Sequence, residues 1–288
     1  MMAFNLDQVN IVNDQIEMLK DKINTNEDYR NCLLQNSNEY NNVKEYFKDL
    51  CKYLRYRCDS LKKDTEFYRV RLLEGGEEVI SKSGLLYPPL QQATLGRMNN
   101  KLFNVMYTSL NEFTACMETE IDEKEIGSIF QLTKFKSKKD LGVYRLGTFS
   151  EIYFNLPKNS IEYKCRIEQY GIRSERILKG FAGLENLLLE ILYSRSDGSY
   201  LLSSILAHAI FETNDDLSTK RIDAILYPSQ KSTHGINLAF KTNVADELEI
   251  NYTSLNKLVK KYPNKMIDYH TLKDCYEIED KEIVYQKY

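Results

Sequence analysis

The chain has 288 residues, 42% of them hydrophobic, which is enough to bury a substantial core. Its 39 basic and 42 acidic side chains are mixed along the length and leave a net charge of −3, which argues against the phosphate-neutralising surface that direct nucleic-acid binding requires. Six cysteines without a C-x-x-C pair, and only three histidines, argue against a disulfide frame and a metal site, so reduced thiols and a cytoplasmic protein are expected.

The opening MMAFNLDQVNIVNDQ has neither a basic start nor an apolar run, so no secretory signal is expected. From Val9 the apolar residues Val9, Val12, Ile16, Leu19 and Ile23 repeat at three-four spacing, and Tyr40, Val43, Phe47, Leu50 and Leu54 do the same. Two amphipathic helices joined through NTNED are expected, a hairpin within an N-terminal helical region spanning residues 1–66. Each stripe is short for a coiled coil, so packing against the chain's own body is favoured over a partner helix.

After residue 66 the pattern changes. YRVRLL alternates as a strand does, which places Arg69 and Arg71 on one side of it. The stretch SKSGLLYPPLQQATLG is rich in turn residues, and Pro88-Pro89 fits neither a helix interior nor a central strand, so a fixed loop is expected before Arg97. NVMYTS reads as a short strand, and LNEFTACMETEI as a helix capped by Ser109 or Asn111. EIGSIFQLTKF and GVYRLG read as further strands.

The middle of the chain is more helical. Ile177, Phe181, Leu184, Leu188 and Ile191 mark one helix face, and YLLSSILAHAIFETN reads as a second helix. His208, on that apolar helix, is expected to be a packed histidine. The stretch LENLLLEILYS is broken by glutamates and is too short for a membrane span. IDAILYPS and GINLAFK then give two strands separated by the loop QKSTH. Strands on either side of a helical middle predict an α+β fold.

The usual phosphate-binding and hydrolase signatures are absent: the chain has no G-x-x-x-x-G-K-[ST], no G-x-G-x-x-G after a strand and no G-x-S-x-G. Three separated pieces remain, FYRVR at 67–71, GRMNNKLFNVMYTSLNEFTACMETE at 96–120 and DAILYPSQKSTHGINLAF at 223–240. In this order they resemble the RES domain, a bacterial family with a Y-R-x-R-like start, then G-R-x-N, a Tyr ten residues after that arginine and a Glu twenty-one after it. A late D-G-I-x-Y-P-S and G-x-N-L-A complete the family pattern. Here Tyr107 stands ten and Glu118 twenty-one residues after Arg97, Ser229 ends DAILYPS, and Asn237 lies in GINLAF. The chain departs from the pattern in reading D-A-I for D-G-I, and in a long gap between Glu118 and Ser229 that implies a helical insertion within 150–210.

The resemblance implies a catalytic domain over 67–288 with a fold similar to ADP-ribosyltransferases and diphtheria-type toxins. It implies cleavage of the nicotinamide-ribose bond of NAD⁺ by water or inorganic phosphate, with NAD⁺ as substrate and no resident cofactor. It also implies a toxin neutralised by an Xre-type antitoxin. An ADP-ribosyltransferase acting on a macromolecule, and a non-enzymatic module that docks a partner through the N-terminal helices, stay open as alternatives, and so does a homo-oligomer.

Bond cleavage builds positive charge on the ribose while nicotinamide leaves neutral, so the site must hold a pyrophosphate and favour a cation. Arg97 and Arg69 suit the first need as phosphate-binding forks, and the Glu118 carboxylate suits the second. Tyr107 offers a flat face to nicotinamide or its ribose, and Ser229 a hydroxyl to position substrate; Asn237, Tyr68 and Asn99 are further binding candidates. Glu120, two residues past Glu118 on the expected helix, would face away from it.

Overall fold

A computed structural model of the chain describes residues 4–54, 58–73, 79–194, 199–213, 221–278 and 283–287. The helices are α1 (Leu6–Thr25), α2 (Glu27–Leu33), α3 (Asn38–Tyr53), α4 (Lys82–Leu85), α5 (Glu112–Glu118), α6 (Thr148–Ser150), α7 (Ile161–Gln169), α8 (Glu175–Tyr193), α9 (Ser199–Glu212) and α10 (Thr242–Ala245). The strands are β1 (Cys58–Leu61), β2 (Glu66–Leu72), β3 (Val105–Ser109), β4 (Ile129–Lys136), β5 (Leu141–Arg145), β6 (Ala224–Pro228), β7 (Ile236–Lys241), β8 (Glu249–Lys261), β9 (Ile267–Ile278) and β10 (Gln286–Lys287). The chain is thus of mixed α+β class. Contacts divide it into two compact units, one of residues 1–59, 90–104 and 144–225, the other of residues 60–89, 105–143 and 226–288. This division crosses the linear boundary expected after residue 66.

Among the described residues, the N-terminal region expected to be helical over 1–66 holds three helices, not two, and then strand β1. NTNED is no linker, because Asn26 closes α1 with its backbone N–H on the Lys22 carbonyl and opens α2 by accepting the Tyr29 N–H on its side chain. The expected stripes do face inward: Val9, Val12, Ile16 and Ile23 are buried on α1, and Tyr40, Val43, Phe47 and Leu50 on α3. Among the described residues they pack against the chain itself, α1 on α8 and α3 on α9. The described part of residues 150–210 is mostly helical, with Phe181, Leu184, Leu188 and Ile191 buried on α8 as expected, while Ile177 is half-buried and Leu178 takes the buried place beside it. The last residue of YLLSSILAHAIFETN, Asn214, lies outside the described residues.

His208 is a packed histidine. Its ring stacks on Phe103 with centroids 4.7 Å apart, Nδ1 lies 2.6 Å from the Tyr40 hydroxyl, and Nε2 lies 3.0 Å from Glu212. A tautomer with the proton on Nε2 lets Tyr40 donate to Nδ1 and the imidazole donate to the carboxylate, which satisfies both ring nitrogens. Burial pushes the Tyr40 hydroxyl up to about 12, so it stays a donor through the neutral range. Tyr40→Phe should therefore cost about 1–3 kcal/mol by leaving Nδ1 without its donor, read as a lower urea midpoint.

The second unit is built on antiparallel pairs in the order β7-β3-β2-β4-β8-β9-β10. Opposed residues in such pairs point to one face, so the register sorts the side chains. Val70 opposes Leu132 and Leu72 opposes Phe130, and these four pack with Ala115, Cys116 and Met117 of α5. Helix α5 therefore covers the face that carries Tyr68, Val70 and Leu72. The same face carries Ser109, opposite Tyr68, then Asn237, opposite Ser109, and Tyr107, two residues from Ser109.

Candidate functional site

Helix α5 begins where the sequence predicts. Asn111 caps it by accepting the Thr114 N–H at 2.7 Å, and Glu118 is its last residue. A carboxylate there stands at the electrostatically unfavourable end of a helix, where the final carbonyls already concentrate negative charge. Two donors offset this. Ser229 Oγ donates to Glu118 Oε1 at 2.6 Å, and Asn237 Nδ2 donates to the same oxygen at 2.7 Å. Glu118 is half-buried, and its other oxygen, Oε2, accepts no hydrogen bond from any described residue.

The loop after β6 explains how Ser229 is held. The Ser229 N–H donates to the Gly235 carbonyl at 2.8 Å and the Gly235 N–H to the Ser232 carbonyl at 3.0 Å, with His234 in the left-handed region at φ 60°. Gly235 passes so close to α5 that a Cβ would lie 2.7 Å from Thr114 Oγ1. Thr114 Oγ1 in turn donates to Ser232 Oγ at 3.3 Å. Ser229 Oγ also accepts the Lys231 and Ser232 N–H groups, at 3.1 and 3.0 Å. Its one donor and both lone pairs are thus committed inside the protein. The expectation that Ser229 positions substrate through its hydroxyl gives way to a different role, that of holding Glu118.

Asn237 is likewise engaged on both sides, since its Oδ1 accepts from Ser109 Oγ at 2.7 Å. Ser109 and Asn237 are each 2% exposed, so this is an interior polar pair. The sequence offers Ser109 only as a helix cap, although its i+2 relation to Tyr107 on a strand would have placed the two on one face. Tyr107 is half-buried on that face, and so is Tyr68, whose hydroxyl donates to Glu66 Oε2 at 3.2 Å. Burial raises the Tyr68 hydroxyl above its ordinary range, against the lowering effect of the Lys134 charge and with the raising effect of the Glu66 charge.

Arg69 does not join this cluster. Alternation along β2 puts its Cβ, with that of Arg71, on the face opposite Tyr68 and Val70, and its Nη1 donates to the Tyr107 carbonyl at 2.9 Å. Burial, then the neighbouring Arg71 charge, brings its guanidinium down to about 10, so it stays protonated at neutral pH. Arg71 is exposed and donates to the Gly84 carbonyl at 3.3 Å. Arg69, expected as a phosphate-binding fork, thus gives one of its donors to the β3 backbone, from the face opposite Glu118.

Arg97 and Asn99 belong to the first unit. Arg97 sits in a tight turn closed by the Gly96 N–H on the Asn99 carbonyl at 2.9 Å, and its guanidinium carbon lies 5.7 Å from the Tyr193 ring centroid. Asn99 is buried and donates from Nδ2 to the Thr94 carbonyl at 2.6 Å, a loop-bracing bond. Pro88 and Pro89 precede a short 3-10 turn, Leu90–Gln92.

Glu120 requires a correction. It lies beyond the end of α5, in the left-handed region at φ 56°, and pairs with Lys231 at 2.8 Å. Its separation from Glu118 comes from this break in the chain and the lysine, not from helical geometry.

Among the described residues no group of His, Cys, Asp and Glu side chains is arranged to hold a metal ion, five cysteines are free thiols, and no helix is long and apolar enough to cross a membrane. A scan against protein-family models finds no match for the chain, and searches of curated proteins and of solved structures find none either.

Proposed function

We propose that the chain is an NAD⁺-degrading enzyme of the RES type, a toxin or defence effector that cleaves the bond between nicotinamide and ribose. The observation that carries this reading is the meeting of Glu118, Ser229 and Asn237. Residues singled out in two distant motifs are joined by hydrogen bonds of 2.6 and 2.7 Å, and they leave one carboxylate oxygen open.

The chemistry fits a cationic transition state. As the C–N bond breaks, its electron pair leaves with nicotinamide, and positive charge grows on the ribose ring. Glu118 Oε2 accepts a ribose hydroxyl and stabilises that charge, and Tyr107 offers its ring on the same face. Water or phosphate then attacks the anomeric carbon, giving ADP-ribose or its phosphate, and the acceptor's proton goes to solvent. Lys231 occupies Glu120, so an E-x-E pair is not at hand to receive a guanidinium acceptor, which favours degradation over protein modification. This reading brings with it an ADP-ribosyltransferase-like fold, a cytoplasmic site of action and an Xre-type antitoxin as partner.

The test is chromatography of NAD⁺ incubated with purified protein, with and without phosphate. Nicotinamide is expected with phosphate present; release without phosphate as well identifies water as an acceptor, and release only with phosphate identifies phosphorolysis. Intact NAD⁺ after prolonged incubation with equimolar protein would overturn the proposal, and label retained on a macromolecule would replace it with transfer.

A further inference from the structure

We infer that Ser109 is a positioning residue for the Glu118 carboxylate, acting through Asn237; this rests on the reading of Glu118 given above. Ser109 and Asn237 oppose each other across β3 and β7, and both side chains are buried. The polarity of the chain they form is fixed by chemistry. An ionised carboxylate only accepts, so Asn237 must turn Nδ2 toward Glu118, and Oδ1 must then face Ser109. Ser109 has to donate, and a donor behind the amide holds its plane.

The consequence lies in which oxygen of Glu118 is committed. Ser229 and Asn237 both donate to Oε1, at 2.6 and 2.7 Å, from two different elements, the loop after β6 and strand β7. Two donors from different directions stop the carboxylate from turning about its last bond, so Oε2 keeps one direction. Without Ser109, Oδ1 of Asn237 is left in the interior with no donor, the amide can swing, and Oε1 is held by Ser229 alone. Substrate would still bind, but the open oxygen would meet the ribose in the right place less often. A positioning defect of this kind lowers kcat and leaves KM nearly unchanged.

A double-mutant cycle tests this. Ser109→Ala is expected to lower kcat for nicotinamide release about tenfold with KM for NAD⁺ within twofold, the size expected when one buried hydrogen bond is lost. Asn237→Ala is expected to lower kcat further, and Ser109→Ala added to Asn237→Ala should then have no additional effect, because its only route is gone. An unchanged kcat in Ser109→Ala, a rise in KM alone, or additive effects in the double variant would overturn the inference. A second readout is independent of activity. The side-chain amide protons of Asn237 should exchange slowly with solvent in the wild-type protein and markedly faster in Ser109→Ala, and equal rates would overturn the inference. If the wild-type protein releases no nicotinamide, the proposed function fails, while amide exchange still decides whether Ser109 holds Asn237.

Discussion

Glu118→Gln should lower the rate of nicotinamide release about 100- to 1,000-fold, the usual cost of removing a preorganised electrostatic group from a transition state. Glutamine is the informative replacement because of what surrounds the carboxylate. Ser229 and Asn237 both present hydrogens to Oε1, so the glutamine amide must place its oxygen there and its nitrogen at the open position. Both hydrogen bonds survive, and so does the packing of Ala115, Cys116 and Met117 on β2 and β4. What is lost is the negative charge and the acceptor at the second oxygen. Thermal unfolding should accordingly change little, since a neutral group at the end of a helix even relieves a small repulsion. Single-turnover kinetics and an unfolding curve on the same variant check both halves. An active Glu118→Gln protein would make Glu118 a structural residue that fastens the loop after β6 to α5.

Much of this site was legible by counting, and the limits of counting are specific. The motif that carries Glu118, and those ending in Ser229 and holding Asn237, single out residues that do come together in the second unit, with Tyr107 on the same sheet face as Asn237. The cap at Asn111 and the buried stripes of α1 and α3 follow from local rules of hydrogen bonding and periodicity. Spacing does not reveal which lone pairs are already taken. Ser229 reads as a free hydroxyl in YPS, yet two backbone N–H groups and a carboxylate use it completely. Arg69 reads as a phosphate fork, yet the register of β2 turns it from Glu118 and gives one of its donors to Tyr107. Glu120 reads as helical only if α5 runs past Glu118, whereas the helix ends there and Glu120 itself is left-handed. Ser109 is silent in sequence because its role exists only across a strand pair. For Ser229, Arg69 and Ser109 the missing information includes a tertiary hydrogen bond, which has no local signature, and for Glu120 it is a single left-handed backbone conformation.

Gly180→Ala in α8 should destabilise the fold. A Cβ at this position would lie 2.1 Å from the Phe4 carbonyl oxygen, 2.8 Å from its carbon and 3.1 Å from the Asn5 Cα. All three are backbone atoms, so no side chain can swing aside, and α1 would have to shift from its entry onward. That entry is well anchored. Phe4 is 2% exposed with its ring 4.8 Å from that of Tyr53, and Asn5 and Gln8 form a reciprocal cap. Overpacking against such a support costs about 1–3 kcal/mol, and the gain of about 1 kcal/mol in helix propensity offsets only part of it. Gly183 supplies the contrast one turn further along. Its Cβ would meet two methyl carbons of Val9, each at 3.1 Å, so a few tenths of an ångström of movement relieve the contact. Gly183→Ala should therefore be close to neutral, since the propensity gain works against a small strain. Urea unfolding of the two variants side by side is the measurement. A clear loss for Gly180→Ala beside near-neutrality for Gly183→Ala supports the close approach of α1 to α8, and equal curves would show that α1 does not cross α8 at Gly180.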